Sequence, residues 1–210
     1  MGQKIIINIG RQFGSGGKAV ARILGEKLGI PVYDNEIITE AARQSGFSRE
    51  LFEQSDEKKR PLSLSSLFST SRYGHFNDNY INDSDLFRIQ SETIRRIAGQ
   101  GSAIFVGRAS DFVLRDMDCI DVFLTAPMEI RRRFVAEREG ISPEEAEQMI
   151  LRNEKQRENY YNYITFGNWG VASNYDLCID SSILGFEGTA DLIIEFAKRR
   201  GYLIEDEVRQ

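Results

Sequence analysis

A glycine-dense turn near the start of the chain constrains its fold more than any other feature. Residues 5–28 read IIINIGRQFGSGGKAVARILGEKL. The β-branched run before the turn is typical of a buried strand, and apolar residues recur at helical spacing after it. Glycines let main-chain N–H groups approach an anion closely, and a helix N-terminus adds partial positive charge. The segment therefore predicts a strand, a phosphate-binding turn and a helix, rather than only a tight turn.

The turn matches the phosphate-binding consensus GxxxxGK[ST] imperfectly, since Gln12 stands where the first glycine belongs, and two registers are open. In the standard register Lys18 reaches a terminal phosphate, but Ala19 stands where the metal-binding hydroxyl belongs. In the alternative register the cradle is formed by Gly14–Gly16, and Arg11 supplies the positive charge. Both registers stay open from the residues alone. The candidate nucleotide-phosphate site comprises Arg11, Gly14, Ser15, Gly16, Gly17, Lys18 and Ala19.

Composition disfavours several classes of protein. The 210 residues suit one α/β domain with an inserted segment. The net charge of −5 disfavours a dedicated nucleic-acid binder, which is usually basic. No signal-peptide pattern or membrane-spanning stretch is evident, so we expect a cytoplasmic protein without a membrane partner. The single histidine, His75, gives little support to histidine-rich metal sites. Cys119 and Cys178 are expected to be buried thiols in a reducing compartment.

Helical patterns alternate with five strand candidates, which predicts a doubly wound parallel sheet covered by helices on both faces. Ligands bind such sheets at the carboxyl ends of the strands. The helix that begins after Ser142 is well marked, because an N-cap, a proline and a capping box coincide there. The expected strands are 4–9, 30–33, 103–106, 120–124 and 175–179; the expected helices after the first are 35–44, 85–98, 128–138, 143–163 and 187–200.

Arginines follow two of these strands. Arg108 comes directly after the third strand candidate, where a ligand-facing loop begins. Arg131 and Arg133 follow the fourth, and Arg157 lies on the long helix beyond. A guanidinium suits phosphate because its planar fork donates two parallel hydrogen bonds and keeps its charge. The competing interpretation is a solvated helix face on which these arginines pair with neighbouring glutamates.

Two aspartates stand at similar positions. Asp34 ends the second strand candidate, where it either holds a ribose or base amino group or caps the helix that starts at Asn35. Asp111, after Arg108, is likewise either functional or a local cap. Residues 55–83 interrupt the alternating pattern with polar sequence and scattered aromatics. These aromatics favour a substrate-covering insertion over a disordered loop.

Several segments together carry a family resemblance. GSGGKAVARILGEKLGIPVYDNEII, AIFVGRASDFVL and IDVFLTAPMEIRRR resemble segments of bacterial cytidylate kinase in content and order. RENYYNYITFGNWGVASNYDLCID is similar to the group called cytidylate kinase-like proteins. The resemblance covers nearly the whole chain. It implies the α/β fold of a P-loop NTPase, as one kinase-like domain over 1–210, with a nucleoside monophosphate-binding insertion at 35–85 and a lid at 131–170.

The resemblance also implies an activity, which is ATP-dependent phosphoryl transfer to a nucleoside monophosphate, most readily CMP or dCMP, with Mg²⁺ bridging the phosphates. Two departures from the family pattern are Ala109, which replaces an aspartate, and Glu40, which replaces an arginine for which Arg43 substitutes. The implied catalytic residues are Lys18, Arg131, Arg133 and Arg157; the implied acceptor-binding residues are Asp34, Arg43, Arg108 and Asp111; and the implied metal ligand is Ser15.

Two other classes stay open. Gly14, Gly16 and Ala19 fit the GxGxxA pattern of a dinucleotide-dependent oxidoreductase, and Asp34 falls where a ribose-binding acid is expected. Lys18 and the downstream arginines argue against that class. The atypical phosphate loop also allows a catalytically silent nucleotide sensor that keeps the fold.

Overall fold

The computed structural model describes residues 4–38 and 83–202. The candidate acceptor residue Arg43, His75 and nearly all of the expected insertion at 55–83 lie outside these described residues. The first turn of the expected helix 35–44 is present, since residues 35–38 are helical.

Five parallel strands form one sheet in the order β2-β3-β1-β4-β5, which confirms the predicted fold class. Its central strand, β1, runs two residues beyond the predicted end because Gly10 and Arg11 continue to pair with Phe123 and Leu124 of β4. The strands are β1 (Ile6–Arg11), β2 (Val32–Tyr33), β3 (Ala103–Val106), β4 (Ile120–Thr125) and β5 (Leu177–Asp180).

The described helices are α1 (Gly17–Leu28), α2 (Asp83–Gln100), α3 (Ser110–Val113), α4 (Met128–Glu139), α5 (Pro143–Thr165) and α6 (Ser181–Arg199). The capping box predicted for α5 is present, because Ser142 Oγ accepts from the N–H of Glu145 at 3.2 Å and Glu145 Oε2 accepts from the N–H of Ser142 at 2.9 Å. None of these described helices is both long and apolar enough to cross a membrane.

Two helices depart from expectation. The four-residue helix α3 was not predicted, because four residues are too few to show a helical period. Helix α6 starts six residues before the expected 187 because the Asp180 carboxylate accepts from the N–H of Ser182 at 2.9 Å and caps it. Gly185, with φ 67°, interrupts α6 after its first turn.

Successive side chains of β1 enter two different cores. Ile7 and Ile9 pack with α1 and α6, whereas Ile6 packs with α2 and α3 on the other face. Helices therefore cover both faces of the sheet, as a parallel sheet requires.

The expectation for the cysteines is half correct. Both are free thiols, and Cys119 is buried, but Cys178 is exposed. Strand β5 lies at the edge of the sheet, and its neighbours Leu177 and Ile179 turn toward the α6 core. Cys178 therefore lies on the opposite face, where no described helix covers it.

One carboxylate lies inside the sheet. Asp121 of β4 is in register with Asn8 of β1, and Asn8 Nδ2 donates a 2.8 Å hydrogen bond to Asp121 Oδ1. Burial raises the pKa of Asp121 to about 6; the hydrogen bond from Asn8 opposes the rise, and the negative charges of Asp111 and Asp176 add to it. Because the folded state holds this proton more tightly, its contribution to stability is present at low pH and is lost as the pH rises through about 6.

Replacement of Asp121 by Asn should remove this pH dependence. Between about pH 4 and pH 7.5, the free energy of unfolding of the wild type should fall relative to that of Asp121→Asn by roughly 2 kcal/mol. Urea unfolding of both proteins at the two pH values measures the difference. Asp116→Asn, at an exposed position, controls for the change in net charge. A gap between wild type and Asp121→Asn that stays constant with pH would contradict the assignment.

Candidate active site

The glycine loop between β1 and α1 is held in place by buried hydroxyls. Ser15 is 1% exposed, and its Oγ lies 3.0 Å from the carbonyl oxygen of Gln12 and 3.2 Å from that of Leu124. Ser181 Oγ donates to the carbonyl oxygen of Ser15 at 2.7 Å. The loop is therefore attached to the end of β4 and to the start of α6.

These contacts do not fit the predicted metal role of Ser15. Its hydroxyl is buried and its hydrogen is directed at main-chain carbonyls, while Ala19 has no hydroxyl to offer. Among the described residues, no cluster of three or more histidine, cysteine or acidic side chains could hold a metal ion. A Mg²⁺ ion arriving with a nucleotide would be held by phosphates and water, which is common for this ion.

The start of α1 is open to an anion. Gly16 is its N-cap, with φ 79°, and a Cβ at this position would overlap the ring of Phe186, so that only glycine fits. In the described part of the chain no side chain caps α1, and its first turn contains no acidic residue. The N–H groups of this turn lack intrahelical partners and suit a phosphate.

Three arginines converge beside this helix start. Arg11 closes β1, and its side chain crosses Gly17, where a Cβ would lie 2.7 Å from Arg11 Cγ. Its guanidinium ends against Gly107, directly before Arg108. Arg157 of α5 reaches the same place and donates from Nη1 to the carbonyl oxygen of Arg11 at 3.0 Å.

Two members of the arginine cluster, defined as Arg11, Arg108 and Arg157, carry charges that burial disfavours. Burial lowers the pKa of Arg11 to about 9; the charges of Arg157 and Arg108 lower it as well, and Asp34 opposes them. Burial also lowers the pKa of Arg157 to about 10, against the opposing charge of Glu154. A bound anion would offset both the cost of burying these positive charges and the repulsion from neighbouring arginines. The cluster is therefore suited to a phosphate chain.

Arg108 is oriented by α2 and α5. Its Nε and Nη2 donate to Oε1 of the buried Gln90 at 3.0 and 2.6 Å, and its guanidinium lies 4.5 Å from the ring centre of Tyr160. Its backbone is left-handed, with φ 61°, which is uncommon for a residue with a side chain. The strand-end placement predicted for Arg108 is the placement found.

Lys18 and Asp34 bind each other rather than joining the cluster. Lys18 Nζ lies 2.7 Å from Asp34 Oδ2 and 3.5 Å from Glu36 Oε1. The other oxygen of Asp34 accepts from the N–H groups of Glu36 and Ile37 at 3.0 and 3.2 Å, so that Asp34 caps the turn at 35–38. Burial works to raise the pKa of Asp34, but the hydrogen bonds from Lys18 and the main chain outweigh it and leave the pKa below its usual value.

Asp111 is attached to the long helix. Tyr161 of α5 donates from its hydroxyl to Asp111 Oδ2 at 2.7 Å. Burial raises the pKa of Asp111, and the hydrogen bond from Tyr161 opposes the rise. Burial and the charge of Asp111 in turn raise the pKa of Tyr161 far above its usual value. This pair joins α3 to α5.

Of the three arginines predicted to be catalytic, only Arg157 lies in the arginine cluster. Arg131 is buried beneath the loop, where its Nε donates to the carbonyl oxygen of Ala126 at 2.8 Å and its Nη1 to that of Phe13 at 3.2 Å. Arg131 Nη1 also pairs with Glu154 Oε1 at 2.7 Å. Arg133 is exposed on α4. Arg131 therefore supports the loop in this geometry.

Two further residues take part in this support, and sequence reasoning gave neither of them a functional role. Glu154 Oε1 accepts from the N–H of Phe13 at 3.3 Å as well as from Arg131. The Phe13 ring contacts two guanidiniums, with its centre 5.3 Å from that of Arg138 and 5.1 Å from that of Arg157. The spacing of three between Glu154 and Arg157 places them on one face of α5, and this spacing was the available signal.

The sheet order β2-β3-β1-β4-β5, with a glycine loop between its central strand and α1, defines the α/β fold of a P-loop NTPase. Shikimate kinase from Bacteroides thetaiotaomicron has this fold, with a TM-score of 0.53 and 13% identity, over 92% of this chain and 98% of that chain. At this identity the likeness concerns the fold alone.

Residues 6–183 match the model of the cytidylate kinase-like family, and the chain belongs to that family. Cytidylate kinase from Methanopyrus kandleri is 31% identical over 188 residues, which cover 85% of each protein. Cytidylate kinase from Pyrococcus horikoshii is 27% identical over 191 residues, covering 90% of this chain and 86% of the relative. An uncharacterised protein from Eubacterium ventriosum has a TM-score of 0.71 and 28% identity, over 93% of this chain and 99% of that chain.

This membership confirms the predicted enzyme class, a kinase of the cytidylate kinase-like type among the P-loop nucleoside monophosphate kinases. Membership in a kinase family also implies the use of ATP. The oxidoreductase alternative finds no support in the family, the relatives or the fold.

Loss of the buried Arg131 should destabilise the protein strongly. Arg131→Ala leaves Glu154 without its cation and two carbonyl oxygens without their donor. We expect the free energy of unfolding in urea to fall by about 3 kcal/mol. Arg133→Ala, two residues away and exposed, is the matched control and should change it by less than about 0.5 kcal/mol. Equal effects of the two substitutions would show that Arg131 does not support the loop.

Proposed function

We propose that this protein transfers the γ-phosphoryl group of ATP to a nucleoside monophosphate, with CMP or dCMP as the preferred acceptor. The observation that carries the proposal is the arginine cluster at the uncapped start of α1. Three like charges held together are stabilised by a polyanion, and phosphoryl transfer needs such charges around the moving group. The cytidylate kinases among the relatives support the choice of acceptor.

The reaction needs positioning and charge rather than a covalent intermediate. An oxygen of the acceptor's phosphate forms a bond to the γ-phosphorus of ATP. The bond from that phosphorus to the bridging oxygen breaks, and its electron pair stays on ADP. No proton has to move, because the attacking phosphate oxygen is already deprotonated. The arginines stabilise the charge that spreads over the transferred group.

The roles of the residues follow from their positions. The N–H groups of Gly14–Lys18 receive the phosphates of ATP at the start of α1. Arg108 receives the phosphate of the acceptor, because it stands at the end of β3 with its fork fixed by Gln90. Arg157 of α5 lies beside Arg11 and is placed to contact the phosphoryl group as it moves from ATP to the acceptor. Mg²⁺ neutralises the ATP phosphates when it is bound, and the loop side chains offer it no ligand.

The segment 131–170 is proposed to act as the lid. Its helix α5 already contacts the loop through Arg157, which donates to Arg11, and through Glu154, which accepts from Phe13. Ligand phosphates would add charge-assisted contacts to these and tighten the closed form. On this proposal the enzyme acts on a small nucleotide substrate in the cytoplasm.

A kinase assay tests the proposal and separates it from a silent nucleotide sensor. We expect ADP release with ATP and CMP or dCMP, and slower release with UMP, AMP or GMP. A protein that binds ATP but releases no ADP with any nucleoside monophosphate would be a sensor, and the proposal would be wrong.

Arg108→Ala should selectively weaken binding of the acceptor. Loss of a charge-assisted bidentate contact costs roughly 1.5–3 kcal/mol, so the KM for CMP should rise by about tenfold or more, while the KM for ATP changes little. Steady-state kinetics with each substrate varied in turn measures both values. Equal changes in the two, together with a lower melting temperature, would make Arg108 a structural residue.

Hydrogen exchange tests the lid. Amides within residues 152–168 should exchange more slowly when ATP and CMP are both present, because phosphates neutralise the arginines that face them. Amides of β1 and β4 serve as an internal reference. If this segment is fully protected without ligand, α5 is a fixed wall of the site rather than a lid.

A further inference from the structure

The positive charge that a GxxxxGK loop carries on its helix is compensated in this chain. Lys18, which the standard register would use, is bound by the carboxylates of Asp34 and Glu36 at 2.7 and 3.5 Å. Its side chain is 62% exposed and is directed toward the end of β2, where both acids lie. Using Lys18 on a phosphate would require both ion pairs to break.

Arg11 has the opposite character. Its side chain leaves the end of β1 and crosses Gly17, the residue before Lys18, within a space that any side chain at position 17 would fill. Its guanidinium then occupies the place that a side chain at Gly107 would need. Gly17 and Gly107 therefore keep open a channel for Arg11, from the central strand to the site.

The charge of Arg11 is not compensated by a neighbouring acid. Its guanidinium forms no ion pair with any described residue, and of the charged groups that act on it, Arg157 and Arg108 oppose its charge while Asp34 favours it. Asp34, the carboxylate that acts favourably on it, is already bound by Lys18. An arginine held this way can donate its full fork to an incoming ligand.

We infer that Arg11 contacts the transferred phosphoryl group and takes the role that lysine has in the standard loop, with Gly17 and Gly107 free of side chains to admit it. The inference rests on the proposed kinase function and adds the residue that neutralises the moving group. The fork donates to two phosphate oxygens while the bond to ADP breaks and the bond to the acceptor forms.

Two single substitutions compare the registers. Arg11→Ala should lower kcat by about 10²-fold or more and should also raise the Kd for ATP in calorimetry, since it removes charge stabilisation from the transition state. The fall in kcat caused by Lys18→Ala should be at least about tenfold smaller than the fall caused by Arg11→Ala. Arg22→Ala, an exposed arginine on the same helix that pairs with Glu26, is the matched control and should leave both constants unchanged. Losses from Lys18→Ala that equal those from Arg11→Ala would overturn the inference.

A relocation experiment tests the channel. In Arg11→Ala the Cγ and Cδ that crowd position 17 are gone and only the Cβ of residue 11 remains, 3.0 Å away, so adding Gly17→Lys should restore at least about tenfold of the lost kcat. Gly17→Lys alone should be impaired, because its Cβ would lie 2.7 Å from Arg11 Cγ. A purely structural role for Arg11 predicts no such rescue, and failure of the double substitution to restore any activity would overturn the inference.

Melting temperatures separate lost folding from lost function. If Arg11→Ala does not fold, Arg11→Lys replaces it, since it keeps the charge and loses the fork; its kcat should fall by about tenfold. The two proposals fail differently. A wild-type protein that phosphorylates no nucleoside monophosphate defeats the kinase proposal, while an active wild type matched by both Arg11 variants defeats only the role of Arg11.

Discussion

The path of the loop between β1 and α1 depends on donors buried beneath it. Ser181 and Arg131 donate to the loop carbonyl oxygens of Ser15 and Phe13, and the Ser15 hydroxyl donates from the loop to the carbonyl oxygen of Leu124 on β4. An orphaned carbonyl in such a place would be costly, so the set of hydrogen bonds admits one loop conformation. Among the described residues the N–H groups of Gln12, Phe13 and Ser15 already have acceptors, which leaves those of Gly14, Gly16 and Gly17 for a phosphate. Preorganised donors of this kind avoid reorganisation during the reaction.

This fixed loop brings like charges together. Folding places Arg11, Arg108 and Arg157 at the carboxyl ends of β1 and β3, where burial and mutual repulsion lower the pKa of Arg11 to about 9. Such an arrangement opposes stability, and perturbed groups of this sort concentrate at functional sites. The nearby acids are bound elsewhere, Asp34 by Lys18 and Glu154 by Arg131. Among the described residues no acid forms an ion pair with Arg11, so its positive charge is available to a ligand.

The fold could be predicted from the sequence because its signals are local. The β-branched run of β1, the glycine turn and the capping box at Ser142 each act within a few residues. The placement of Arg108 followed from its position after a strand. The partners of Ser15, Lys18 and Arg131 could not be predicted, because residues distant in sequence supply the contacts, with Leu124 109 positions from Ser15. Choosing between Lys18 and Arg11 likewise required Gly107, which the sequence does not connect to the loop.

A crystal structure with a non-hydrolysable ATP analogue and CMP tests the central claim most directly. We expect the γ-phosphate to lie between the N–H groups of Gly14–Lys18 and the guanidiniums of Arg11 and Arg157, with the CMP phosphate on Arg108 and the Lys18–Asp34 pair intact. Phosphates bound by a Lys18 that has left Asp34, with Arg11 out of hydrogen-bond reach, would contradict it.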